Sequence, residues 1–270
     1  MRTGRIRAAR ALDATEITMS DTDALREVAR RLRAATRVMA LTGAGISAES
    51  GVPTFRGPDG LWRNFRATDL ATPGAFARDP ALVWEWYRWR RSRIRDARPN
   101  PGHLVLARFE RRWPALTLAT QNVDGLHTQA GSRRLLELHG NIWRARCAAR
   151  CGRTVIQDVD GDAAPGTAPD AGVPLCACGG WMRPDIVWFG EALDDGILSR
   201  TLDEAAASDA LLVVGTSSVV YPAAALPGLA RQHGAMIVEV NVEDTPLTGA
   251  ADFVLRGPAG EVLPALEALL

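Results

Sequence analysis

The 270-residue sequence contains no lysine, because all 32 of its basic residues are arginine. The 31 acidic residues nearly balance them, and the formal net charge is +1. Proteins that bind nucleic acid usually carry a strongly basic surface. The charge balance therefore argues against a nucleic acid as a partner.

Long apolar runs are also missing, since no stretch approaches the ~20 apolar residues that cross a bilayer. We therefore expect no membrane partner. The first twenty residues contain four arginines, no acid before Asp13 and no secretory apolar core. They resemble a mitochondrial transit peptide, but a disordered bacterial leader or a misassigned start codon is the simpler interpretation. We expect residues 1–20 to be disordered and the protein to be cytoplasmic.

Cysteine is scarce, and the four cysteines form two close pairs, Cys147-x3-Cys151 and Cys176-x-Cys178. Four sulfurs in this arrangement suit a tetrahedral structural zinc with no open position for catalysis. Disulfides and unpaired core thiols are the alternatives. A cytosolic location disfavours disulfides, and the clustering disfavours unpaired thiols. We predict one zinc per chain, although the spacing departs from the commoner C-x2-C pairs.

Apolar segments alternate with helical patterns from Asp21 to the C-terminus, which predicts an α/β fold with a Rossmann-like parallel sheet and helices on both faces. The alternation fails between Cys147 and Cys178. We therefore expect a catalytic domain over 21–270, with a small zinc-binding module inserted at about 142–183. A Trp-rich helical insertion is predicted at about 58–100.

A glycine-rich segment, TGAGISAESGVPTFRG, follows the apolar run VMAL. Gly43 and Gly45 allow a tight turn and close approach of the backbone to a pyrophosphate, and Ala48 is small enough for a helix to pack on the sheet. The pattern indicates a dinucleotide site. Phe55 and Arg56 add an aromatic ring and a cation just beyond it.

Two further segments, TLATQNVDGLH and LLELHGN, are short strands that end in polar clusters. Polar groups at the carboxyl ends of strands face the ligand crevice of an open α/β sheet. With the glycine-rich segment, these strings resemble the sirtuin family of NAD-dependent protein lysine deacylases. The resemblance runs from about Leu25 to Leu270 in motif order and spacing. It implies that NAD is a co-substrate and that acyl-lysine proteins or peptides are the substrates.

His139 is the candidate general base, because an imidazole with a pKa near ~6.5 accepts a proton at neutral pH. A histidine that is hydrogen-bonded only for structure is the alternative. The resemblance implies that the acyl-lysine carbonyl oxygen attacks the ribose C1′ as nicotinamide leaves. His139 then helps a ribose hydroxyl attack, and the products are free lysine and O-acyl-ADP-ribose.

The resemblance also assigns the contacts of NAD. Asn122 would orient the ribose and water, Asp124 would bind the nicotinamide amide and ribose region, and Gln121 would line the same pocket. These residues could instead cap a helix that begins near Val123. The remaining predicted cofactor contacts are Gly43, Ala44, Gly45, Phe55, Arg56, Trp62, Gly215, Thr216, Ser217, Asn241, Glu243 and Ala259.

A strand from Asp185 to Phe189 with an exposed edge is predicted in RPDIVWFGE, and such an edge can pair with an extended peptide. Val187, Phe189, Gly190 and Glu191 would contact the peptide through their backbone. The apolar residues could otherwise be plain core.

Tyr87 and Arg90 are three positions apart on a predicted helix and share one face. A phenol beside a guanidinium can receive a carboxylate. This Y-x-x-R pattern is similar to the signature of sirtuins that remove malonyl, succinyl and related acidic acyl groups, and a small Ala71 would leave room for the acyl chain. The alternative is a solvated basic face.

Two other functions remain open for a chain of this type. One is a mono-ADP-ribosyltransferase or NAD hydrolase on the same scaffold, which would need no carboxylate-binding pair. The other is a noncatalytic NAD sensor, which would need no general base. His139 and the Tyr87–Arg90 pair favour the deacylase.

Overall fold

A computed structural model of the chain describes residues 21–53, 61–62, 65–156 and 172–270. The predicted leader over 1–20, together with Phe55 and Arg56, lies outside the described residues. The strands are β1 (Val38–Thr42), β2 (Leu61–Trp62), β3 (Phe65–Arg66), β4 (Thr117–Thr120), β5 (Leu135–Glu137), β6 (Gly140–Cys147), β7 (Thr154–Ile156), β8 (Met182–Ile186), β9 (Ala210–Val214), β10 (Met236–Asn241) and β11 (Phe253–Arg256).

Helices separate most of these strands, and two short 3-10 turns cover Ala223–Ala225 and Thr248–Ala250. None of the helices in the described part of the chain has the length and apolar composition of a membrane span. The α-helices are α1 (Asp21–Ala34), α2 (Ala44–Ala48), α3 (Ala67–Leu70), α4 (Pro73–Arg78), α5 (Pro80–Ile94), α6 (Pro101–Arg112), α7 (Leu126–Ala130), α8 (Asp195–Ala206), α9 (Leu226–Gln232) and α10 (Ala259–Ala268).

A six-stranded parallel sheet forms the larger part of the molecule, in the order β11-β10-β9-β1-β4-β5. Every residue of β1, β4 and β9 is buried, as expected for strands that are covered on both faces. Alternate residues of β1 enter different cores: Val38 and Ala40 pack with α1, α6 and α10, whereas Met39 and Leu41 pack with α8 and α9. The predicted fold class is confirmed.

A second sheet, β7-β6-β8, is antiparallel and three-stranded, and all four cysteines lie on it or on its loops. Helix α5 packs on this sheet, and the indole N–H of Trp84 donates to the Met182 carbonyl at 2.9 Å. Strand β6 was not predicted from the sequence; only its second half alternates, with Ala145 and Cys147 buried and Arg144 and Arg146 partly exposed.

Three element boundaries differ from the predictions. The Trp-rich helical insertion predicted at about 58–100 is divided at Asp79, whose carboxylate caps α5 by accepting from the Leu82 N–H at 2.9 Å. The helix expected near Val123 begins at Leu126, because Gly125 adopts a positive φ of 80°. The strand expected over 185–189 is β8, which ends at Ile186.

Candidate active site

The glycine-rich loop between β1 and α2 packs directly against the turn that follows β9. A Cβ atom on Gly43 would lie 2.8 Å from the Thr216 Cα, and one on Gly45 would lie 2.7 Å from the Gly215 carbonyl oxygen. The Gly45 N–H donates to that same oxygen at 2.7 Å. Both glycines are therefore required by contact between the two loops, in addition to any approach of a ligand.

Thr216 joins the carboxyl ends of three strands of the parallel sheet, β4, β9 and β10. The Gln121 side-chain amide donates to the Thr216 hydroxyl at 2.9 Å, and the Asn241 amide donates to the Thr216 carbonyl at 2.9 Å. The polar strand ends that the sequence identified separately are thus brought together on one side of the parallel sheet, where ligands bind in open α/β folds.

Asn122 and Asp124 meet at the hydroxyl of Ser47, a residue that the sequence analysis did not single out. The Ser47 hydroxyl donates to the Asp124 carboxylate at 2.8 Å and accepts from the Asn122 amide at 3.1 Å. Asp124 also accepts from the Leu126 N–H at 2.9 Å, so it caps α7 as well. Burial raises the pKa of the Asp124 carboxyl.

Two buried histidines, His103 and His127, lie beneath this network, and their ring centroids are 4.8 Å apart. His103 Nε2 is 3.4 Å from the Ser47 oxygen, and His127 Nε2 is 2.9 Å from the Thr42 hydroxyl. Burial lowers the pKa of His103 to about 4 and that of His127 to about 3. Both rings are therefore neutral at pH 7. The sequence signal for His103 was its place at the third position of α6, where it completes a capping box with Asn100.

His139 follows β5 and is held in one tautomer. Its Nδ1 lies 2.9 Å from the Gln121 carbonyl, which can only accept, so Nδ1 carries the proton and Nε2 keeps a lone pair. Burial lowers the pKa of His139. The Val187 N–H fixes the backbone by donating to the His139 carbonyl at 2.9 Å. The arrangement supplies a neutral, oriented base.

Gly140 is the residue that brings His139 against the second sheet. Its φ is +83°, and a Cβ atom there would lie 2.0 Å from the Asp185 carbonyl oxygen. No other residue type fits this position. The close pairing of β6 with β8 therefore explains why a glycine follows His139.

Three charged side chains, Glu137, Arg144 and Asp185, form a cluster that we name the charged clasp. Arg144 contacts Glu137 at 2.7 Å and Asp185 at 2.8 Å. Glu137 also accepts from the Asn141 amide at 2.6 Å. Because Glu137 ends β5 whereas the other two lie on β6 and β8, the clasp ties the large sheet to the small one on both sides of His139.

The four cysteine sulfurs of Cys147, Cys151, Cys176 and Cys178 lie within 4.8 Å of one another. The Cys147–Cys178 and Cys151–Cys176 sulfur distances are 3.5 and 3.4 Å. These values exclude disulfides, whose S–S bond is about 2.05 Å. Sulfurs around a tetrahedral zinc at about 2.3 Å would be roughly 3.8 Å apart. The donor set and its spacing therefore fit zinc.

Tyr87 and Arg90 are in contact, with the Arg90 guanidinium carbon 5.8 Å from the Tyr87 ring centroid. Tyr87 is completely buried, and its oxygen accepts a hydrogen bond from the Trp188 indole at 2.8 Å. Ala71 is also buried, and its carbonyl accepts from the Phe189 N–H at 3.0 Å. The alternative was a solvated basic face. Arg88 and Arg93 are exposed and fit that alternative, whereas Tyr87 is buried and does not.

The segment after β8 is not a free strand edge at every position. The Val187 and Phe189 N–H groups already donate to His139 and Ala71, so an extended peptide would have to pair there with carbonyl oxygens. The Glu191 side chain faces inward, accepting from Arg183 at 2.5 Å and from the Trp188 N–H at 2.8 Å. Phe189 itself is 52% exposed.

Comparison with known proteins identifies this arrangement. A model of the Sir2 family matches residues 43–222. The chain is 53% identical over 240 residues to NAD-dependent protein deacylase 2 of Pyrobaculum aerophilum, covering 88% of this chain and 93% of that protein. It is 50% identical over 243 residues to the NAD-dependent protein deacylase of Pyrococcus furiosus, covering 90% and 96%. The chain belongs to the Sir2 family.

Solved structures agree with this assignment. A complex of a Sir2 homologue with NAD has a TM-score of 0.81 and 44% identity, covering 90% of this sirtuin and 93% of the other chain. A complex of Sir2 with a p53 peptide and NAD has a TM-score of 0.78 and 32% identity, covering 90% and 97%. The prediction that the chain is a sirtuin enzyme is confirmed.

The remaining predicted cofactor contacts that the structure describes differ from one another in burial and in the element on which they lie. Gly215 has a φ of +60°, Ser217 is partly buried, and Glu243 is exposed. Ala259 is buried at the start of α10. Trp62 lies on β2, which pairs with β3, and Ala44 begins α2.

Proposed function

We propose that this sirtuin, an NAD-dependent protein deacylase by family, prefers lysine acyl groups that end in a carboxylate, such as succinyl and malonyl. The observation that carries the proposal is the contact between Tyr87 and Arg90 on the buried side of α5. Burial lowers the pKa of the Arg90 guanidinium, so a carboxylate beside it would be a favourable partner. An acetyl group has no such charge to offer.

The Tyr87 and Arg90 side chains differ in how a ligand would meet them. Tyr87 has no exposed surface, whereas Arg90 is partly exposed. An acyl carboxylate would therefore meet the guanidinium first and would reach the phenol only by displacing the atoms that cover it. Ala71 supports the proposal because its side chain is a single methyl group and takes little space.

His139 is the general base in this proposal. Its Nε2 would accept a proton from a ribose hydroxyl of NAD, while its Nδ1–H stays bonded to the Gln121 carbonyl. Asn122 and Asp124, linked through Ser47, would hold the ribose and nicotinamide region. The products would be nicotinamide, free lysine and O-acyl-ADP-ribose.

The loops on the β9 and β10 side would hold the rest of NAD. Gly43, Gly45 and Thr216 lie around one junction and are suited to a pyrophosphate and a ribose. Val187, Phe189, Gly190 and Glu191 stay predicted peptide contacts, and the carbonyl oxygens of that segment would make the pairing. Cys147, Cys151, Cys176 and Cys178 would bind one structural zinc, and a cytoplasmic location stays a prediction.

Mass spectrometry of the NAD products tests the activity directly. Acetyl-, malonyl- and succinyl-lysine peptides of one sequence would be supplied at equal concentration. The expected products are O-malonyl- and O-succinyl-ADP-ribose in excess over O-acetyl-ADP-ribose. ADP-ribose attached to protein, or released as free ADP-ribose without deacylation, would instead support the mono-ADP-ribosyltransferase or NAD hydrolase alternative.

Arg90→Met tests the acyl preference. We expect kcat/KM for the succinyl-lysine peptide to fall on the order of 10- to 100-fold, since a charge-assisted hydrogen bond is lost, while acetyl-lysine changes little. Tyr87→Phe should cause a smaller loss in the same direction. Arg93→Met, at an exposed position of α5, is the matched control. Equal losses on both substrates would show that α5 only supports the fold.

A further inference from the structure

Trp188 determines what the Tyr87 hydroxyl can offer to a ligand. The Trp188 indole has a donor and no acceptor, and it donates to the Tyr87 oxygen at 2.8 Å on the buried side of α5. Arg90, which also has donors only, lies beside the same side chain, with its guanidinium carbon 5.8 Å from the Tyr87 ring centroid. Both polar neighbours of the phenol are therefore donors.

The consequence concerns the phenolic hydrogen. Burial raises the pKa of Tyr87, so the hydroxyl keeps its proton. Among residues 21–53, 61–62, 65–156 and 172–270, no hydrogen bond has this hydroxyl as its donor. Because the oxygen already accepts from the Trp188 indole, the O–H donor is the part of the hydroxyl that is left for an acceptor.

Trp188 is itself held rigidly. The Arg183 guanidinium carbon lies 3.3 Å from the Trp188 ring centroid, and Arg183 is fixed by Glu191 at 2.5 and 2.8 Å. The Glu191 carboxylate also accepts from the Trp188 backbone N–H at 2.8 Å. Phe76 packs on the ring at 5.4 Å. These contacts fix the orientation of the indole ring, so that its N–H is directed at the Tyr87 oxygen.

We propose that Trp188 is a specificity-determining residue, because its indole N–H occupies the Tyr87 oxygen and leaves the receptor able only to donate. A receptor of this kind selects acyl groups that end in a hydrogen-bond acceptor, a carboxylate above all, over apolar acyl groups of the same length. The inference rests on the proposed acidic-acyl preference and deepens it. It also gives the inward-facing Glu191 and Arg183 a role in that preference.

The test compares succinyl-lysine with butyryl-lysine, which has the same chain length but ends in a methyl group. Trp188→Phe should lower the succinyl-to-butyryl ratio of kcat/KM roughly 3- to 10-fold, mainly through KM, since one neutral hydrogen bond is lost. Effects of the substitution on peptide binding are common to both substrates and cancel in the ratio. In the Tyr87→Phe background, Trp188→Phe should lower the ratio no further.

Trp84→Phe is the matched control. Trp84 lies on α5, is 1% exposed, donates its indole N–H to the Met182 carbonyl and packs under the guanidinium of Arg91 at 5.3 Å. Like Trp188 it is buried, packs against an arginine and donates its indole N–H, but it donates to a backbone carbonyl and not to Tyr87, so its removal should leave the ratio unchanged. Thermal unfolding of each variant separates lost stability from lost selectivity.

The outcomes distinguish the two proposals. If the wild type prefers succinyl, Arg90→Met removes that preference and Trp188→Phe does not alter it, the role of Trp188 is overturned and the proposed function stands. The role is also overturned if the effects of Trp188→Phe and Tyr87→Phe multiply. A wild type without acidic preference overturns the acyl preference and the role of Trp188 together.

Discussion

The two sheets of this sirtuin are stabilised by different physical means. The six-stranded parallel sheet consists of strands such as β9, in which every residue is buried and apolar. The three-stranded antiparallel sheet has arginines on its central strand β6, paired with Asp185 and Glu191, and four cysteines at one end. Burial of apolar surface on both faces stabilises the first sheet, whereas the second combines one apolar core, shared with α4 and α5, with ion pairs and a cluster of four cysteines.

The difference indicates where a structural metal would contribute most. The small sheet has a single apolar core on one face, and small domains of this kind often depend on structural zinc. The parallel sheet has two apolar cores and needs no such ligand. The proposed active site lies where the two sheets meet, because His139 connects β5 to β6.

Removal of the metal should have the largest effect, because it should unfold the small sheet and leave the parallel sheet folded. Structural zinc contributes on the order of 10 kcal/mol to the folding of small metal sites. A strong chelator or Cys176→Ala should therefore unfold the small sheet and abolish deacylation while the parallel sheet keeps its secondary structure. Metal analysis should find one zinc per chain in the wild type. Ala177→Ser, between two of the cysteines, is the control, and an active preparation without zinc would contradict the prediction.

Substitution at the junction should affect chemistry without affecting either sheet. His139→Ala should lower the deacylation rate on the order of 10²- to 10⁴-fold, since a general base is lost. NAD binding, measured by calorimetry, and the unfolding temperature should change little because the His139 side chain is only partly buried. Turnover near that of the wild type would show that another group acts as the base.

A cavity in the core of the parallel sheet should lower stability without affecting the zinc site. Leu212→Ala removes a fully buried side chain from β9 and should lower the free energy of unfolding by about 2–5 kcal/mol. Urea denaturation measures this loss. The zinc content should stay unchanged, because the cavity lies in the other sheet. The control is Leu104→Ala, at a site that is 39% exposed; a loss of equal size there would contradict the argument from burial.

The two buried histidines, His103 and His127, should make the free energy of unfolding decrease at acidic pH. The unfolded chain binds protons at these two side chains below pH 6.5, whereas folding lowers the pKa of His103 to about 4 and that of His127 to about 3. The unfolded state therefore binds more protons in this window, so stability falls as the pH decreases from 6.5. Each histidine contributes at most about 1.4 kcal/mol per pH unit.

Thermal unfolding between pH 7 and pH 4.5 measures this slope. His103→Asn should be less sensitive to acid than the wild type over that range. His233→Asn replaces an exposed histidine and serves as the control. Equal slopes for His103→Asn and the wild type would show that other groups cause the acid sensitivity.

The parallel sheet could be predicted from sequence because its strands are covered on both faces and appear as continuous apolar runs. Strand β6 could not, because its arginines are paired only through Glu137, Asp185 and Glu191, which are distant in sequence or lie on other elements. The shift of β8 to Met182–Ile186 has the same origin, since β6 sets its register.

Parts of the proposed site were accessible to sequence reasoning for a similar reason. His139, Asn122 and Asp124 follow strands directly, so their position was evident from the pattern. Ser47 was missed because a hydroxyl group on a helix has no distinctive spacing, and His103 was missed because its place at the third position of α6 indicates only a helix cap. Their part in the site is visible only in the contacts that they make with Asp124 and with each other.

The charged clasp links the two sheets close to His139, the proposed general base. Only Leu138 and His139 separate β5 from β6, so the imidazole lies where the chain passes from one sheet to the other. Arg144 pairs with Asp185 within the small sheet and with Glu137 at the end of β5, so moving β5 away from β6 would break the Arg144–Glu137 ion pair. The guanidinium that joins β6 to β8 therefore also fixes the segment that carries His139.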